Sequence, residues 1–116
     1  MDPLRRQVTD VQVERILNAV DLLRELDSEM PAQLMATLLY VASHDNCHKQ
    51  ALEEDLNFST ASGSRNTDWL SHQHRIRGRK GLDLIKKEAD PSNGRRLQLS
   101  LTAKGQDLVD RIKEVI

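Results

Sequence analysis

Residues Arg96-Leu97-Gln98-Leu99-Ser100-Leu101 alternate strictly between polar and apolar, in a chain whose hydrophobic residues otherwise recur at helical spacing. A period of two puts the leucines on one face and the polar side chains on the other, the pattern of a half-buried strand. Directly before it, Asp90-Pro91-Ser92-Asn93-Gly94 is dense turn chemistry. Leu84 to Ala89 ahead of that turn can form the partner strand. A β-hairpin is therefore expected late in the chain, with Arg95 and Arg96 at its tip.

The rest reads as helix. Pro3 suits a first helical turn, and Leu4, Val8 and Val11 begin a stripe that predicts one long helix from Pro3 to Leu26. Val13, Ile16, Leu17, Val20 and Leu23 share one face, and Leu22 and Leu26 add a second. A helix apolar on two sides must bury both, and in a chain this short the second face is expected to meet another copy of the protein. A second helix, Pro31 to Ser43, carries Leu34, Leu38 and Val41 on one stripe, with Met35, Leu39 and Ala42 beside it. His44 to Cys47 reads as a loop. A short third helix, about Lys49 to Leu56, presents Glu53, Glu54 and Asp55 as exposed acids. Asn57-Phe58-Ser59 makes a turn with Ser59 as the N-cap of a fourth helix, Thr60 to about His72. Two short helices joined by such a turn have the shape of a helix-turn-helix. Thr102 caps a closing helix, Ala103 to Ile116, with Leu108, Ile112 and Val115 on one stripe. The expected fold is mainly α with a small β-hairpin: a winged helix-turn-helix with flanking N- and C-terminal helices. Residues 1–29 and 103–116 flank the winged helix-turn-helix region at 30–102, and Val8, Val11, Leu22, Leu26, Leu108, Ile112 and Val115 are the candidates for contact with a second copy.

Composition narrows the function. With 116 residues, 38% hydrophobic and 30% charged, the chain is one ordinary globular unit. No apolar run approaches the ~18 residues a spanning helix needs. The start lacks a secretory h-region, and Cys47 is the only cysteine, so a reducing cytoplasmic setting is expected. The net charge of −1 hides an asymmetry: residues 72–104 hold nine Lys or Arg against three acids, whereas the remainder holds eight against fifteen. A localised cationic surface on an acidic body attracts a polyanion and orients its approach. No metal site or cofactor is expected: His44, Asp45, Cys47 and His48 match no zinc spacing. No phosphate loop, nucleophile elbow or metalloprotease motif is present, so no catalysis is expected.

Within a winged helix, Thr60, Ser62, Ser64 and Arg65 fall on the first two turns of the recognition helix, where hydroxyls reach phosphates or base edges and an arginine can pair with guanine. Arg95 and Arg96 at the wing tip are either on DNA or plain surface charge. Arg75, Arg77, Arg79 and Lys80 either lie along the phosphates or form a solvated insertion. Trp69 is core or dimer packing, or the wall of a ligand pocket.

Asp90 to Gly105 and Ser59 to Leu70 together resemble the MarR family of bacterial winged-helix transcriptional regulators. The first stretch is similar to that family's wing, an Asp-Pro turn and arginine tip followed by an alternating strand and Leu-Thr-x-x-Gly. The second is similar to its recognition helix, with a Ser-Arg pair ahead of Asp and Leu. Helix order agrees along the whole chain. The resemblance implies a homodimer on a pseudo-palindromic operator in double-stranded DNA, usually a repressor, with a possible small-molecule effector. Four departures stand out. Asn93 occupies a position usually held by a second Asp that braces the wing arginine. Gly63, Asn66 and Thr67 replace apolar residues in the recognition helix, and Gly63 costs ~1 kcal/mol of helix propensity. Residues 71–81 form a longer link than usual, and the chain stops soon after the wing, which weighs against an effector pocket. Two other readings stay open: a winged helix that contacts protein, to which Glu53, Glu54 and Asp55 would contribute, and a nucleoid-type binder without sequence preference.

Overall fold

A computed structural model describes residues 4–72 and 80–116. Its elements are α1 (Val11–Arg24), α2 (Ala32–Ser43), β1 (Cys47–His48), α3 (Lys49–Leu56), α4 (Thr60–Leu70), β2 (Ile85–Asp90), β3 (Asn93–Leu101) and α5 (Ala103–Val115). The three strands form one antiparallel sheet in the order β1-β3-β2. This is a winged helix: α3 and α4 make the helix-turn-helix, and β2 and β3 make the wing.

Local signals start most elements. The Ser59 side chain accepts the Ser62 N–H at the start of α4, and Thr102 accepts the Gly105 N–H at the start of α5. Asn57 ends α3 in the left-handed region, at φ 57°. The core is leucine-rich: Leu34, Leu38, Leu52, Leu70, Leu84 and Leu99 are fully buried, with Ile85 beside them. Leu23 of α1 and Leu108 and Ile112 of α5 join the same cluster.

Several expectations need correction. The first helix begins at Val11, because Asp10 adopts an extended backbone and its carboxylate accepts the Val13 N–H. Leu4 and Val8 therefore lie outside any helix, and Arg5 has φ 48°. The loop after α2 ends in the two-residue β1, where Cys47 pairs with Leu99 and His48 with Gln98. The hairpin thus belongs to a three-stranded sheet. α4 stops at Leu70, where Leu84 N–H donates to the Leu70 carbonyl and Leu82 N–H to that of Trp69. Gly81 lies so close to this helix end that a Cβ would sit 1.7 Å from the Ser71 carbonyl oxygen, which explains a glycine there. Leu97 is exposed rather than inward, because the wing extends past the core that covers Leu99. Leu39 on α2 is exposed as well.

The dimer residues fall into two groups. Leu22 and Leu26 are half-buried against the core, and Leu108 and Ile112 lie inside it, so this chain covers the second pair itself and the first pair in part. Val115 is half-buried, and Val8 and Val11 are exposed. The apolar surface left uncovered on α1 continues through Val13, Ile16 and Leu17, with Ile116 exposed at the far end of the chain. The radius of gyration of 16.4 Å exceeds the ~13 Å expected of a compact chain of this length.

Candidate nucleic-acid interface

Each residue of α4 turns by about 100° about the helix axis. With Gly63, Asn66, Thr67 and Leu70 buried, the face around Ala61 and Arg65 must point outward, and both are exposed. Thr60 is exposed at the helix start, while Ser62 and Ser64 are half-buried on the flanks. Arg65 extends along this face, its Nη2 donating to Ser62 Oγ at 3.0 Å. Ser59 Oγ also donates to Ser62 Oγ at 3.1 Å. The four expected recognition-helix residues therefore lie on one continuous surface, with Arg65 and Thr60 the most accessible.

Beneath that surface, Gly63, Asn66 and Thr67, which stand where apolar side chains were expected, are each accounted for. Gly63 is packed against Glu53 of α3. Asn66 Nδ2 donates to Gln33 Oε1 of α2 at 3.4 Å. Thr67 Oγ1 donates to the Gly63 carbonyl at 2.7 Å.

The wing exposes Arg95 and Arg96 to solvent, on β3 just past the turn. Asn93, the departure from the expected aspartate, accepts the Arg95 backbone N–H at 3.1 Å and so orders the turn without a charge. Asp90 does more. Its Oδ1 accepts the Ser92 N–H and Oγ–H, each at 2.8 Å, and its Oδ2 lies 2.6 Å from His48 Nε2. The Ser92 backbone N–H, then the His48 and Ser92 side chains, hold the Asp90 carboxyl down at about 2. His48 pairs with Gln98 of β3, whereas Asp90 ends β2. The contact therefore reaches across β3 from one edge of the sheet to the other. Lys87 of β2 is also committed, its Nζ 2.7 Å from Asp68 Oδ1 of α4.

Among the described residues, no carboxylate pairs with Arg65, Arg95 or Arg96. Lys80 is exposed; Arg75, Arg77 and Arg79 lie outside the described residues. The acids of α3 are less available than expected. Glu53 is half-buried in an ion pair with Lys49, and Asp55 accepts the Tyr40 hydroxyl at 2.6 Å, which pushes that phenol up to about 12.

The four ligand-capable residues near the end of α2 go separate ways. His44 stacks on the Tyr40 ring at 3.9 Å, His48 faces Asp90, Asp45 is exposed, and burial pushes the half-buried Cys47 thiol up. Trp69 packs against the core. A cleft between α3 and the wing is lined by His48, Gln50, Ala51, Glu54 and Arg96, a largely polar wall. The sequence reading missed the His48–Asp90 contact and the Gly63 seat. The first joins residues 42 apart and the second bridges two helices, so neither leaves a local signal.

No protein-family model and no curated protein matches the sequence. Solved structures do match in shape. S. aureus MepR in its complex with DNA superposes with a TM-score of 0.69 at 20% identity, over 90% of this chain and 77% of that one. MarR gives 0.64 at 19% identity, over 98% and 75%. The transcriptional repressor CouR, bound to a 23-mer DNA duplex, gives 0.63 at 20% identity, over 90% and 66%. The fold of this chain is that of the MarR-type winged-helix regulators.

Proposed function

We propose that the chain is a sequence-specific double-stranded DNA-binding transcriptional regulator that acts as a homodimer and represses by occupying a pseudo-palindromic operator. One observation carries this reading: on a single winged-helix scaffold, α4 exposes Thr60 and Arg65 while the wing exposes Arg95 and Arg96, and among the described residues no acid neutralises these arginines. α4 enters the major groove, where Arg65 reads base edges and Ser62 and Ser64 reach phosphates or bases. The wing arginines lie on the minor groove or the phosphates, and Lys80 with Arg75, Arg77 and Arg79 adds charge that strengthens binding without reading sequence. MepR and CouR, which share the fold, are seen on DNA.

The uncovered apolar residues Val11, Val13, Ile16 and Leu17 of α1 support pairing with a second copy, since a soluble monomer rarely leaves such a stripe open. Two copies related by a two-fold axis place two α4 helices about 34 Å apart, one turn of duplex. The protein-contact alternative loses much of its support, because two of its three acids are engaged within the chain.

Selection of bound duplexes from a random pool tests the reading. It should enrich a palindromic sequence, and affinity for that sequence should fall at least about tenfold between roughly 50 and 200 mM salt. Enrichment of no sequence, with uniform weak binding, would indicate a nucleoid-type binder instead. Sedimentation should give a dimer for the wild type and a monomer for Leu17→Glu.

A further inference from the structure

The inner face of α4 carries a device that the DNA-binding reading does not require. Gly63 is buried, and a Cβ built there would lie 2.0 Å from Glu53 Oε2, 2.5 Å from its Cγ and 2.6 Å from its Cδ. The Glu53 side chain therefore fills the space a side chain at position 63 would need. It is not free to leave. Glu53 Oε2 accepts from Lys49 Nζ one turn earlier on α3, and the two side chains are only 11% and 10% exposed. Swinging Glu53 out would strand a nearly buried ammonium, which is costlier than keeping the pair. A methyl at position 63 would therefore push α4 away from α3 or break the pair.

The energetics argue against a role in stability alone. A buried ion pair usually contributes little compared with apolar residues of the same volume, and glycine inside a helix is unfavourable. Two unfavourable choices meet at one contact, directly behind the outward face that holds Ser62, Ser64 and Arg65. We infer that Lys49, Glu53 and Gly63 form a positioning lock: the buried pair seats in the gap left by Gly63 and sets the depth and rotation of α4 relative to α3, and thereby the reach of Arg65 and Thr60 into the groove. This rests on the DNA-binding reading above. None of the three touches DNA; they act through the placement of α4.

The test is a cycle of variants followed by thermal melting and by titration with a duplex selected for the wild type, at a temperature where circular dichroism finds every variant folded. Gly63→Ala alone should lower the melting temperature and weaken binding to the selected duplex at least tenfold, while binding to a scrambled duplex changes far less. Lys49→Met with Glu53→Ala opens the space without stranding a charge. Adding Gly63→Ala to that background should cost no further affinity or stability. The lock is overturned if Gly63→Ala binds the selected duplex as the wild type does, if it melts lower but keeps full affinity when folded, or if it is equally damaging in the opened background. Wild-type protein that binds no duplex sinks the DNA reading and this inference together, whereas a wild type that binds and an unaffected Gly63→Ala sinks the lock alone.

Discussion

On the proposed reading the wing and α4 face the same duplex, yet they are held in different ways. The wing is held by backbone pairing and apolar burial. β3 is bonded along both edges, to β1 and β2, and Leu99 and Ile85 are sunk in the core. Pairing continues beyond that core, so the tip from Asn93 to Leu97 stands clear in solvent. α4 meets its neighbours through close and polar contacts on its inner face, with Glu53 filling the space behind Gly63 and Asn66 bonded to Gln33, while Thr67 turns back onto its own helix. Leu70 is its fully buried apolar anchor. Burial is tolerant of direction, while polar contacts fix distance and angle. A phosphate-reaching arm needs only the first; a helix that reads base edges needs the second. Lys87 bonded to Asp68 links the wing root to the helix.

The largest expected effect tests the apolar side of this contrast. Leu99 is fully buried and lies opposite Cys47 on one edge and Lys87 on the other. Leu99→Ala should cost about 2–5 kcal/mol in urea denaturation. A cost below about 1 kcal/mol would mean that strand pairing alone holds the wing. Next comes the tip. Arg95→Ala with Arg96→Ala should leave the melting temperature almost unchanged, because exposed substitutions shift stability by about 0.5 kcal/mol or less. The same double variant should weaken DNA binding at least about tenfold and reduce the salt slope by roughly one per arginine. Unchanged affinity would remove the wing from the interface and leave α4 alone.

The contrast also explains what could be read from sequence. The wing was legible because a period of two, a turn and two arginines are local facts, and both cap residues, Ser59 and Thr102, act within three residues of themselves. Alternation shows that a strand exists but not how far the core extends beneath it, which is why Leu97 was expected inward. Helical period shows that α1 has two apolar faces but not which one its own chain covers, so Leu22 and Leu26 were assigned to a partner. β1 has two residues and hence no period at all. The start of α1 does carry a local signal, Asp10 ahead of Glu14 and the apolar stripe, which a helix drawn from Pro3 leaves unused. The departures at Gly63, Asn66 and Thr67 were visible as anomalies. Their meaning was not, because each is answered by a residue or carbonyl that only the folded geometry brings near.

The smallest expected effect concerns the polar contact that spans the wing's sheet from edge to edge. Asp90 is held at about 2 by Ser92 and His48. Its ordinary value is 3.8, so its folded form is the easier one to keep ionised. A carboxylate depressed on folding stabilises the native state above its unfolded value, and that contribution fades as pH falls through the folded one. Wild-type stability should therefore decline between about pH 4 and pH 2 more steeply than that of Asp90→Asn, and the two curves should converge at the acid end. At neutral pH the variant should be slightly less stable and should bind the selected duplex less tightly, because the Ser92 turn and the His48 contact both loosen beneath Arg95 and Arg96. Parallel acid limbs for the two proteins would show that the Asp90 contacts to Ser92 and His48 contribute nothing to the fold, and the wing would then be held by backbone pairing and burial alone.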